Sequence, residues 1–165
     1  MLVVGVDPGT INMGVGAVLS DDDLLTLAYS EVLSPPKSAP LSDRLGWLHE
    51  RMSRALEDLR PSVVAIEQPF VARNVKAALA VGQAQAVAMI AAARLGIPVA
   101  GYSPSEVKKA VTDYGGSSKE QVQEMVSVLL RLDAVPSSSD AADALAVAIC
   151  HINAVEASQR VEAKR

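Results

Sequence analysis

Aromatic side chains are scarce in this chain: one phenylalanine, one tryptophan and three tyrosines among 165 residues. Its core must therefore be built from Ala, Val, Leu and Ile, and an apolar content of 50% supplies them. Cysteine is scarcer still. A lone Cys150 excludes an internal disulfide, whereas small secreted domains carry several. A reducing, cytoplasmic setting is expected. No basic segment followed by an apolar one opens the chain, because Met1–Val6 runs straight into Asp7. Long hydrophobic runs are also missing. The longest, Ala84–Ala93, is interrupted by Gln85 and followed by Arg94, which is expected to be too short for a bilayer. Secretion and membrane insertion are therefore disfavoured. The length predicts one domain, and 21% charged residues beside that apolar half disfavour disorder.

Charge of one sign is not in large excess. The formal net charge of −4 argues weakly against nucleic acid, but it is unevenly spread. Residues 1–67 carry −5, residues 68–131 carry +3 and residues 132–165 carry −2. A basic middle third is a modest electrostatic footprint for a polyanion, and ordinary scatter in a soluble protein gives similar numbers.

Along the chain, Leu2–Val6 is a β-branched run, and Gly14–Leu19 and Leu24–Leu33 are two more apolar segments. Ser20-Asp21-Asp22-Asp23 between them marks a hairpin, so the first three strands are expected to form an antiparallel meander. Three prolines make Ser34–Pro40 a loop. Ser42 is expected to cap a helix with its stripe at Leu45, Leu48, Met52, Ala55, Leu56 and Leu59. Val63–Ile66 is a fourth strand, Ala77–Leu95 a helix closed by Gly96, and Pro98–Gly101 a fifth strand. Ser103-Pro104-Ser105-Glu106 and Ser118-Lys119-Glu120-Gln121 are capping boxes opening two more helices, the second reaching about Leu132. A last helix is expected from Ser139 to Val155. The fold class that follows is α/β: one mixed five-stranded sheet, three antiparallel strands then two parallel, flanked by helices. The domain is expected to span 1–156, with a flexible tail over 157–165.

Four carboxylates stand out. Asp7 follows the first strand's apolar run, and Glu67 follows the fourth strand in Val64-Ala65-Ile66-Glu67-Gln68. A charge at the end of a buried strand needs a partner. If those strands are neighbours, the two like charges repel and raise each other's pKa, a conflict that a divalent cation removes. Asp140 and Asp143 lie three apart at a helix start, hence on one face, and Ala141, Ala142 and Ala144 keep the surface around them low. Each alone also fits a structural role: Asp7 capping a turn, Glu67 paired with a lysine, Asp140 ending a Ser137-x-x-Asp140 box. Together, without His or Cys, they suit a hard, oxygen-loving ion such as Mg²⁺ or Mn²⁺ and two-metal phosphoryl chemistry, with ions about 3.5–4 Å apart. His49 and His151 are expected to be structural or exposed.

These segments resemble the RuvC-type crossover junction endonucleases, from Gly5-Val6-Asp7-Pro8-Gly9 to about His151. The specific pieces are Ile66-Glu67-Gln68 with Phe70, Gly82-Gln83-Ala84, Val107-Lys108-Lys109, Lys119-Glu120-Gln121-Val122 and Asp140-Ala141-Ala142-Asp143-Ala144-Leu145-Ala146. The resemblance implies a ribonuclease H-like fold and resolution of four-way (Holliday) DNA junctions in recombination and repair. It implies paired symmetric nicks that leave 5′-phosphate and 3′-hydroxyl ends. Asp7, Glu67, Asp140 and Asp143 would form the acidic catalytic set and hold two Mg²⁺ or Mn²⁺ ions per site. Phe70 would stack on a base at the junction centre, and Lys108 and Lys119 would meet the scissile region and the backbone. Pro69 departs from the usual aliphatic or aromatic residue and would stiffen the Phe70 loop. The family acts as a homodimer, and the RuvA–RuvB branch-migration motor is the expected partner.

The residues support part of this on their own. Phe70 is the one phenylalanine, and it precedes Arg73, Asn74 and Lys76; an aromatic beside cations is how unstacked bases are held. A core plug is the alternative. Lys108 and Lys119 are expected on first turns of helices, where lysine and free amides together favour phosphate; Lys108 would also offset transition-state charge. Small residues at Ala77, Ala78, Gly82, Ala86 and Ala93 permit close packing by the helix over 77–95, the expected homodimer contact. Two rivals stand beside this reading. Asp7-Pro8-Gly9-Thr10 also resembles the phosphate loop of actin-like ATPases, which need two such domains. A junction-recognition module without cleavage is the other, and it leaves four carboxylates without a task.

Overall fold

The computed structural model describes residues 1–22, 24–68 and 74–163. Its elements are β1 (Leu2–Asp7), β2 (Met13–Asp21), β3 (Leu24–Leu33), α1 (Leu41–Leu59) and β4 (Val63–Glu67), followed by α2 (Val75–Arg94), β5 (Val99–Tyr102), α3 (Pro104–Thr112), α4 (Lys119–Leu129) and α5 (Ser139–Glu162). The strands lie in the order β3-β2-β1-β4-β5. β2 is antiparallel to both β1 and β3, while β4 runs parallel to β1 and β5 parallel to β4. This is the mixed sheet expected from the sequence.

Strand side chains alternate between faces, and here both faces are covered. Val4, Val6, Val64 and Ile66 point to one side, where Leu48, Met52 and Leu56 of α1 and Ala84, Val87 and Ala88 of α2 pack. Val3, Val63 and Ala65 point to the other, against α3, α4 and α5. Each such fully buried Val, Leu or Ile contributes about 1.5–3 kcal/mol relative to exposure, so ordinary aliphatics replace the missing aromatics.

The second face is shaped by what it lacks. Gly5, Gly14 and Gly16 present no side chain to α5, and each lies hard against it. A Cβ on Gly5 would fall 2.0 Å from the Ala144 carbonyl oxygen, and one on Gly14 would fall 1.9 Å from that of Asp140. The helix answers with Ala141, Ala142, Ala144, Ala146 and Ala148, all buried. Small residues on both sides let α5 descend onto β1 and β2.

Both expected capping boxes form. Ser103 and Glu106 cap α3 with Pro104 at the first helical position, and Ser118 and Gln121 cap α4. Several boundaries differ from expectation. Helix α1 starts at Leu41 with Pro40 at its N-cap, and the Ser42 hydroxyl bonds to Asp43 instead of capping. Helix α2 starts at Val75, because the Asn74 side chain accepts from the Ala77 amide. Helix α4 ends at Leu129, and α5 runs past the expected Val155 to Glu162, so the boundary drawn at 156 falls inside a helix. At the start of α5 neither Ser138 nor a Ser137–Asp140 box supplies a side-chain cap. The apolar run judged too short for a bilayer belongs to α2, which with α5 is long and apolar enough to cross one by length and composition. In this fold α5 is a core helix, and α2 lays one side on the sheet.

Candidate active site

Alternation decides where the carboxylates go. Val3, Gly5 and Asp7 share one face of β1, and Val63, Ala65 and Glu67 share the same face of β4. The register pairs Val6 with Ile66, so Asp7 and Glu67 stand side by side one step further on. Helix α5 crosses this face and brings Asp143 to the same end. Asp7, Glu67 and Asp143 line one cavity of about 180 Å³, together with Lys108, Lys119, Pro104, Val107 and Val122.

The electrostatics follow from this crowding. Asp7 is pushed up to about 7, first by burial and then by the charges of Glu67, Asp143 and Asp140. Glu67 is raised too, by burial and then by Asp143. Lys119 answers them: its Nζ lies 3.2 Å from Asp143 Oδ2, and that carboxylate raises the lysine pKa.

Most of the expected site residues converge, with differences. Asp140 stands outside the cavity lining and acts on Asp7 through its charge; its carbonyl is the group seated on Gly14. Lys119 occupies the first position of α4 as expected. Lys108 does not sit on a first turn. The capping box starts α3 at Pro104, which places Lys108 a turn further on and Lys109 in the last turn. Lys108 therefore reaches the cavity from the helix flank, without the free amides. Asn74 and Lys76 are exposed at the start of α2. Phe70 and Arg73, with Pro69, lie outside the described residues. His151 is structural: its Nδ1 is 2.7 Å from the Tyr102 hydroxyl. Pro104, Val107 and Val122 carry sequence signals as members of a capping box and of two family motifs, but none that marks them as cavity walls, since they come from two helices whose meeting is a tertiary event.

Among the described residues no three His, Cys, Asp or Glu side chains are gathered closely enough to enclose one ion. The donor set nonetheless fits a hard divalent cation. It is all oxygen, its members repel, and the positive charge they attract in this structure is an ammonium group. The repulsion has a measurable consequence. Asp7 has a folded pKa near 7 against about 3.9 in an unfolded chain, so the folded state binds a proton that the unfolded state has released. In chelator, stability is expected to fall by a few kcal/mol as pH rises from about 4 to 7, then to level off. Denaturant unfolding across that range checks this, and Asp7→Asn should flatten the profile.

A family model described as Crossover junction endodeoxyribonuclease RuvC matches residues 3–151. The chain belongs to the RuvC family. The RuvC of Dehalococcoides mccartyi is 48% identical over 151 residues, covering 92% of this chain and 90% of its relative. A Thermus thermophilus RuvC structure superposes with a TM-score of 0.88 at 35% identity, covering 96% of this chain and 97% of that one. Thermus thermophilus RuvC in complex with Holliday junction substrate gives 0.89, with 35% identity and 96% of each chain covered. The sheet order and flanking helices described above are thus those of a RuvC nuclease, and the ribonuclease H-like expectation holds.

Proposed function

We propose that this chain is a Holliday junction resolvase that cleaves four-way DNA junctions by paired nicks, in recombination and repair. The observation that carries the reading is the convergence of Asp7, Glu67 and Asp143 with Lys108 and Lys119 on one cavity. Asp7, Glu67 and Asp143 would hold the ions, with Asp140 adding charge from outside the lining. Two Mg²⁺ or Mn²⁺ ions, when bound, supply Lewis-acid stabilisation of the phosphate and a stronger nucleophile at neutral pH. Lys108 reaches the same cavity and offsets the charge that develops on the phosphate. Lys119, more than half exposed, exchanges Asp143 for a DNA phosphate at the α4 N-terminus, where free amides assist it. Pro104, Val107 and Val122 keep water off one side, which strengthens each charge interaction. The products are 5′-phosphate and 3′-hydroxyl ends.

The remaining parts belong to the same proposal. Phe70 stacks on a base at the junction centre, and Arg73, Asn74 and Lys76 bind the DNA beside it. A homodimer forms through α2, whose outer side carries Val75, Leu79, Met89 and Ile90 exposed, with Gly82 opening onto free space. A twofold dimer sets two sites against a nearly twofold junction. Action in the cytoplasm alongside the RuvA–RuvB motor rests on family membership.

The test is a nicking assay on a synthetic four-way junction and a matched linear duplex, with Mg²⁺, with Mn²⁺ and with chelator. Paired, ion-dependent nicks on the junction alone are expected. Junction binding without cleavage under either ion overturns the reading.

A further inference from the structure

Tyr114 is the one aromatic among the described residues that the fold leaves without a partner. Tyr29 bonds to Glu31, Trp47 lies beneath Arg51, and Tyr102 pairs with His151. Tyr114 is 68% exposed, and its hydroxyl makes none of the hydrogen bonds formed among the described residues.

The segment that carries it is held firmly. Thr112 Oγ1 donates to the Lys108 carbonyl at 2.8 Å and lies 2.7 Å from Ser117 Oγ, and the Ser117 hydroxyl reaches the Tyr114 carbonyl at 2.8 Å. Ser117 is buried. Gly115 lies against Ser105, where a Cβ would fall 2.7 Å from the hydroxyl. The loop thus folds back along α3 to its first turn, beside Pro104, which lines the site. It then delivers the chain to Lys119 at the start of α4. The ring itself is seated by an absence: a Cβ on Gly116 would meet Cζ, Cε1 and Oη of Tyr114 at 2.7–2.8 Å. Gly116 has no such atom, so the phenol end rests on its backbone and the rest of the ring stays open.

We propose that Tyr114 is a DNA-contact residue, packing its open ring on a nucleotide of the strand that passes between Lys108 and Lys119. This rests on the resolvase reading. A solvent-facing aromatic on the short segment that joins the helix of Lys108 to the helix of Lys119 offers a π-face to any base and a flat apolar surface to a deoxyribose. The lysines hold the backbone, and the ring fixes how far the strand can rotate about it.

The test compares wild type with Tyr114→Ala, Tyr114→Phe, Gly116→Ala and the double variant Tyr114→Ala/Gly116→Ala. Junction affinity is read by fluorescence anisotropy in chelator and nicking with Mg²⁺. Tyr114→Ala should weaken binding roughly tenfold with an unchanged unfolding midpoint, since the ring is exposed. Tyr114→Phe should stay within about twofold, because the ring and not the hydroxyl does the packing. Gly116→Ala should weaken binding as well by displacing the ring, and the double variant should be no worse than Tyr114→Ala. Abasic sites beside the cleaved phosphate separate the two surfaces: loss of the wild-type advantage assigns the base, and its persistence assigns the sugar. Wild-type nicking with Tyr114→Ala binding unchanged overturns this inference alone. Absence of wild-type nicking overturns the resolvase reading and this inference with it.

Discussion

Glu67→Gln is expected to lower junction nicking about a thousandfold or more while leaving junction binding intact. The amide keeps the volume of the carboxylate, so the end of β4 and the cavity walls are undisturbed. What is lost is one negative oxygen donor among three that line the same 180 Å³ cavity. Removing a single preorganised electrostatic group from a catalytic site costs rates on this scale. Asp7→Asn should do the same, and the double variant should be little worse than either, because groups that act as a unit are not additive. Affinity measured in chelator should hold or improve. Glu67 raises the Asp7 pKa, and its loss removes both that repulsion and a charge facing the DNA phosphates. The two readouts moving apart separate an active site from a recognition surface. Nicking that survives Glu67→Gln sinks the site, and binding that falls with it assigns the carboxylate to structure.

Gly5→Ala should destabilise the fold by about 3 kcal/mol or more and abolish nicking at temperatures where the protein remains folded. The new methyl would sit 2.0 Å from the Ala144 carbonyl oxygen and 2.7 Å from the Ala148 amide nitrogen. Neither atom is the tip of a flexible side chain, so the whole of α5 has to lift from β1. Overpacking that moves backbone costs at the upper end of its usual range. The lift also carries Asp143 away from Asp7 and Glu67, which ties stability to activity at a residue that touches no substrate. Gly46→Ala in α1 is the matched control. A Cβ there meets nothing within 4 Å, so the helix should gain about 0.5–1 kcal/mol from the lost glycine. Urea unfolding of both variants checks the pair, and equal effects would show that the close approach of α5 is not tight.

Local signals in this chain are strong and were readable residue by residue. Short, mostly β-branched apolar runs in Leu2–Asp7 and Val63–Glu67 specify strands, and Ser103 with Glu106 and Ser118 with Gln121 specify helix starts, because strand preference and capping act within a few residues. The same locality misplaces the start of α1, where Pro40 and not a hydroxyl opens the helix. It also ends α5 too early, since the polar face after Glu156 is carried on a helix already nucleated in the core. The four carboxylates could be picked out singly, as charges in places that needed a reason, and the family motifs named them together. Their unequal standing could not. Whether Asp143 faces Asp7 while Asp140 stands aside depends on how α5 rolls over Gly5, Gly14 and Gly16. The pairing of Lys119 with Asp143, and the arrival of Lys108 from a helix flank, depend on how α3 and α4 pack on α5. The order and kind of the elements, the two capping boxes and the charges at the strand ends were written in the chain, because those follow from near neighbours. The tertiary structure alone decided which charges share one cavity, because that requires segments more than a hundred residues apart to meet, and only the register of the sheet and the depth of α5 upon it bring them together.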